Sequence, residues 1–271
     1  DTERQVAQTV LTPLPSDVQL YLAVSEVMYH PVVEAAEFIE LINISDSVTL
    51  DLTNVRFSAG VEFDFTGSAV TSLAPGARVL VVRDLIAFTA AYGAGLPVAG
   101  AFANGSALSN GGERIKIDDA SGSTAINFSY LDAEPWPPAA DGEGYSIVLK
   151  RAEAGSDPDG PGNWRSSTLP GGSPGGSDAI PYGGGDVLSY ALASEPIVQR
   201  TAEQVTFSYR HRLGADQAEV TVEWSSDLMV WNSGLLDLIG RMPDGFGLEI
   251  ATWRLPLESR GFVRLRVVVV P

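Results

Sequence analysis

In VEFDF, residues 61–65, Val61, Phe63 and Phe65 fall on one side of an extended chain and Glu62 and Asp64 on the other. That is the alternation of a strand with one wet face. Similar patterning predicts strands over 20–29, 37–44, 113–118, 124–131 and 144–150. ARVLVVRD (77–84) is apolar on both faces and predicts a central strand, entered through the turn Ala74-Pro75-Gly76. One helix interrupts the series: Asp84 can cap DLIAFTAAYG, Leu85, Phe88 and Tyr92 recur at spacings of three and four, and Gly93 ends it. It is expected to plug an open end of a sandwich.

In EFIELIN (37–43), Phe38 and Ile42 share one face, Ile39 and Leu41 the other, and Glu40 stands on the Phe38 face. A carboxylate there is a site or a strut. Glu37, three residues away, points to the opposite face, so no second acid is expected to converge and the strut is favoured.

Residues 155–185 are dense in Gly, Pro, Ser and Asp and mark a boundary. Beyond it come a short helix signal at 186–193 and four strand signals, 204–212, 218–227, 248–256 and 261–270. The expected organisation is an N-terminal arm or tail (1–16), a first β domain (17–177), a Gly-rich linker (178–185) and a small antiparallel, sandwich-like domain (186–271). In the last strand Val263, Leu265, Val267 and Val269 form one apolar face. Such a strand is either central in its domain or an edge that invites another chain. Val6, Val10 and Leu11 make the N-terminal segment a candidate arm for that edge, with Val267 and Val269 on the accepting side.

Composition narrows the classes. The 28 glycines and 17 prolines suit an antiparallel all-β chain. There is no cysteine, which excludes disulfides, thiolate metal sites and cysteine nucleophiles. A formal charge of −17 repels phosphate backbones, so nucleic acid is not an expected partner. The apolar run VVVV (267–270) is far short of the roughly 20 residues that span a bilayer, and direct membrane insertion is not expected. Asp1 in place of Met leads to the expectation of a signal or precursor segment removed on the way out of the cell.

EFIELIN with LDLTNVRFS, then LAPGARVLVVRD, LSNGGERIKIDD, PWPPAADGEGYSIVLKR, and NWRSS with GGSPG follow one another in an order that resembles the lamin-tail domain of bacterial surface and secreted proteins, over about residues 20–177. The resemblance implies an immunoglobulin-like β-sandwich acting in attachment or assembly, without catalysis. The second domain is similar to C-terminal regions of large surface proteins of Verrucomicrobia and related bacteria, carried by GGGDVLSYALASEP, VTFSYRHRLGADQAEVTVEWSSDLMVW and GFVRLRVVVV.

Candidate chemistry is sparse. His30 and His211 are the only histidines, in different domains, and no Gly-x-Ser-x-Gly elbow accompanies them. Glu134 and Asp141 flank Trp136 in AEPWPPAADGEG, which has the look of a sugar site, although a structural tryptophan is favoured. Trp136 and Trp231 are the ligand candidates, since a ring face can cover a pyranose. Asp157 and Asp159 are the calcium candidates, expected to stiffen the linker; no other cofactor is expected. The expected function is a non-catalytic extracellular or cell-surface module whose partners are copies of itself or other surface proteins, built into a filament through its N-terminal arm. The alternative is a carbohydrate-binding module of a secreted polysaccharide-degrading system, with glycans as partners.

Overall fold

The computed structural model describes residues 14–234, 236–257 and 260–270. Ser16 opens it as the cap of α1 (Asp17–Tyr21): its hydroxyl accepts the Gln19 N–H and the Gln19 side chain accepts the Ser16 N–H. This capping box explains why the strand expected from residue 20 begins later, as β1 (Leu22–Met28). There follow β2 (Phe38–Asn43), β3 (Leu50–Asp51), β4 (Arg56–Ala59), β5 (Phe63–Asp64), β6 (Ser72–Leu73), β7 (Arg78–Val82), α2 (Leu85–Tyr92), β8 (Val98–Ala101), β9 (Glu113–Asp118), β10 (Thr124–Tyr130), β11 (Ile147–Leu149) and β12 (Trp164–Ser166).

Two sheets face each other: six strands in the order β12-β11-β1-β2-β7-β8, and four in the order β10-β9-β4-β5. All pairs are antiparallel except β7 with β8. Between the sheets lie Val24, Val27, Ile39, Leu41, Val79 and Val81 from one side and Phe57, Ile115, Ile117 and Phe128 from the other, all buried. This is the one-face alternation of the sequence turned into a sandwich core.

The outer face of the six-stranded sheet is also covered, in two halves. α2 lays Phe88 and Tyr92 over Met28, Phe38, Leu80 and Val82, with the Phe38 and Phe88 rings edge to face at 5.9 Å. The helix therefore roofs a sheet face and does not plug a sandwich end, because the apolar residues it must hide alternate onto that face; Leu85, expected on the buried side, is half-exposed.

The second half of the outer face carries charge and meets the rest of the chain: α3 (Val187–Ala191), β13 (Ile197–Arg200), β14 (Val205–Arg212), β15 (Ala218–Ser225), β16 (Asp237–Pro243), β17 (Leu248–Leu255) and β18 (Phe262–Val269). A four-stranded sheet β13-β14-β17-β16 packs on the pair β15-β18, around Val205, Phe207, Tyr209, Val222, Trp224 and Leu255. β16 is missed by alternation because Gly240 interrupts it where the pairing register shifts. Overall the chain is all-β, of sandwich type.

Residues 178–185 are not a free tether. Asp178 takes an ion pair from Arg165, the Ile180 N–H bonds to the Gly214 carbonyl, and the Tyr182 N–H bonds to Gln217.

Candidate functional site

Strand registers align one row across the outer sheet face: Arg165, Val148, Glu26, Glu40 and Leu80 are successive partners on β12, β11, β1, β2 and β7. Glu40 thus does have a convergent acid, contrary to expectation. The cause is a bulge between Val24 and Glu26, which places Glu26 directly opposite Glu40. Both carboxyls are buried.

Their oxygens are fully engaged by protein donors. Glu40 accepts Ser25 Oγ at 2.7 Å, Arg78 Nη1 at 2.7 Å and the Gly175 N–H. Glu26 accepts Ser146 Oγ, the Ser173 N–H at 2.9 Å and Ser173 Oγ at 2.8 Å. Two carboxylates of adjacent strands therefore clamp the loop 172–176. A cleft of about 370 Å³ opens beside Glu26 and is lined in part by Arg78, Ile180 and Gln217. Adjacent buried acids of raised pKa are the raw material of general-acid chemistry, but here each is committed to holding backbone.

Burial, joined by the charge of Glu40, pushes Glu26 up to about 7 against the opposing bonds from Ser146 and Ser173. Burial also displaces Glu37 and Glu40 upward. The folded chain thus keeps a proton on Glu26 that the unfolded chain releases near pH 4.5. Its contribution is complete below that pH and is lost as pH rises through 7, a swing of up to roughly 3 kcal/mol. We expect the thermal midpoint to fall between pH 5 and pH 8 and Glu26→Gln to flatten that slope. An unchanged slope in the variant would remove Glu26 as its source.

The acids around Trp136 do not converge. Glu134 takes Arg241 of β16 in a two-pronged pair at 2.8 and 3.2 Å, and Asp141 pairs with His30 Nδ1 at 2.7 Å. Trp136 itself is 4% exposed, its ring 5.8 Å from that of Trp164, which stacks on Phe128. It closes the first core, the structural role favoured for it, and offers no open ring face to a sugar. Trp231 is partly exposed, but the Arg264 guanidinium covers one ring face at 4.0 Å.

Asp157 accepts the Asp159 N–H in a turn, and among the described residues no group of three or more His, Asp or Glu side chains is arranged to hold a metal ion. His211 pairs with Glu249 at 2.9 Å. Glu37, on the sandwich edge, holds Arg83 and the Leu108 N–H. Val6, Val10 and Leu11 lie outside the described residues.

Val267 and Val269 sit on β18, whose geometry is more informative. It pairs in full register with β15, Ala218 opposite Val269 through Ser225 opposite Phe262. The Val270 N–H bonds to the Gln217 carbonyl. By alternation, Phe262, Arg264, Arg266 and Val268 exchange bonds with β15, while Val263, Leu265, Val267 and Val269 turn their N–H and C=O groups outward. Among the described residues no strand lies on that side. In the facing sheet, Val198 of β13 stands opposite the buried Phe207, on the core side, yet is 55% exposed.

No family model, no curated protein and no solved structure matches the chain.

Proposed function

We propose that this chain is a non-catalytic structural module of a bacterial cell surface or the extracellular space, its first sandwich of the immunoglobulin-like lamin-tail type, which joins copies of itself by β-strand addition. The observation that carries this is the outward edge of β18, beside which no strand lies among the described residues. The donor strand is the N-terminal segment of a neighbouring copy. Residues 3–12 precede Pro13 and are long enough to run beside the eight residues of β18, with Val6 and Val10 on one face and Glu3 on the other. Arg264 and Arg266 disfavour β18 pairing with a second β18, since like charges then meet across the strands. They welcome an acid.

The test is deletion of residues 1–13, which spares the Ser16 cap and its hydroxyl bond to Asp119. Light scattering and electron microscopy should show assemblies for the full chain and monomers for the truncated one. Because the chain has no cysteine of its own, Val6→Cys in one copy mixed with Val267→Cys in another should give an intermolecular disulfide. Normal assembly of the truncated chain would overturn the arm; assembly without the cross-link would move the acceptor away from β18.

A further inference from the structure

A second cavity, of about 300 Å³, lies where the two sandwiches meet, between the end of β11 and the inner side of β17. Its walls include Lys150, Trp164 and Arg165 from the first sandwich and Tyr209, Arg241 and Trp253 from the second. The acids that line it are already spent: Asp216 accepts two bonds from Arg165, at 2.6 and 2.9 Å, and Glu249 accepts His211. Arg241 is held by Glu134.

Two donors remain unmatched. The Lys150 ammonium has neither a hydrogen bond nor an ion pair with a described residue; burial holds its pKa below the lysine range, and Arg165, Arg151 and Arg241 add to this against Asp216. Trp253 Nε1 is buried with no hydrogen-bond acceptor; the neighbouring Tyr209 hydroxyl, pushed up to about 12 mainly by burial, stays protonated and makes no hydrogen bond to it. An ammonium and an indole N–H can only donate. Arg212 adds a further cationic wall. In a chain of net charge −17, a cation-lined cleft with unmatched donors is complementary to one kind of guest.

We propose that this cavity binds a small oxyanion, a carboxylate or a phosphate-type group, held by Lys150 Nζ and Trp253 Nε1. The volume leaves room for a sugar-sized body behind the anionic group, so free phosphate and an acidic sugar are both within the class.

Lys116 and Lys150 are the only lysines, so 13C-lysine labelling of the full chain gives two sets of Hε–Cε cross-peaks. Titration with sodium phosphate, and separately with sodium glucuronate, at ionic strength matched with chloride, should shift the Lys150 set saturably and raise its titration midpoint while Lys116 stays still. Tryptophan emission should follow the same curve, because Trp164 and Trp253 line the space. Lys150→Gln should weaken the response about tenfold or more, the loss of one charged hydrogen bond. A response to glucuronate alone selects the acidic sugar; a response to both selects the oxyanion itself. Lys150 cross-peaks unmoved by either anion, or an emission curve unchanged in the variant, would overturn the proposal, and the wild-type titration decides even if the variant does not fold.

Discussion

Arg165→Ala lowers the unfolding free energy by about 3–5 kcal/mol, the cost of stripping one partner from a buried ionic cluster. The guanidinium is 5% exposed. It spans the two sandwiches, with Nε and Nη2 on the oxygens of Asp216, Nη2 and Nη1 on those of Asp178 at 2.6 and 3.2 Å, and Nη1 also on the Ser166 carbonyl. Against the upward push of burial, Arg165 holds Asp178 below the usual carboxylate range. Without it two acids face each other in a nearly dry interface. Arg165→Lys recovers little, since a single ammonium cannot satisfy two forked acceptors at once. Chemical denaturation measures the loss. The cluster also joins the second sandwich to the first, so the variant is expected to split one transition into two. A midpoint within about 1 kcal/mol of wild type would show that Asp178 and Asp216 find other partners.

Glu40→Ala is expected to cost about 3–4 kcal/mol, and Glu40→Gln only about 1. The difference comes from what each removal leaves behind. Alanine orphans the Ser25 hydroxyl and the Gly175 N–H and takes the buried partner from Arg78, which keeps only the half-exposed Glu153. Glutamine keeps one acceptor oxygen for Ser25 and Arg78, loses the acceptor of the Gly175 N–H, and removes the charge that helps displace Glu26 upward. Hydrogen exchange separates the two carboxylates: the Gly175 amide, bonded to Glu40, should open in the alanine variant, while the Ser173 amide, bonded to Glu26, stays protected. Unchanged protection of Gly175 in the alanine variant would mean that this amide is held without Glu40.

The fold was legible wherever one face of a strand is buried. ARVLVVRD and the Asp84-capped helix need nothing beyond local alternation and a cap to be found, whereas of VEFDF only Phe63–Asp64 pairs as a strand and the helix covers a sheet face instead of a sandwich end. What alternation cannot show is which residue sits across from which. Glu40 could be recognised as a mid-strand acid from its neighbours alone. Glu26 could not be set against it, since a single bulged residue at Ser25 fixes that register. Arg165 and Asp216 are 51 positions apart and meet only because two sandwiches dock. Trp136 sits in a run of aromatic, proline and acidic residues that allows two readings, and its packing with Trp164 and Phe128 supports the structural one that was favoured.

The clamp on residues 172–176 has a mechanical meaning. When the chain is pulled through its second sandwich, load does not travel only along the peptide from β12 to α3. It enters β1 and β2 in mid-sheet, through Glu26 on Ser173 and Glu40 on Gly175, and β12 through Arg165 on Asp178. These side-chain links are short bypasses around about a dozen residues of slack chain. If these links give way before the six-stranded sheet is sheared, the released length takes up the extension while its ladder holds.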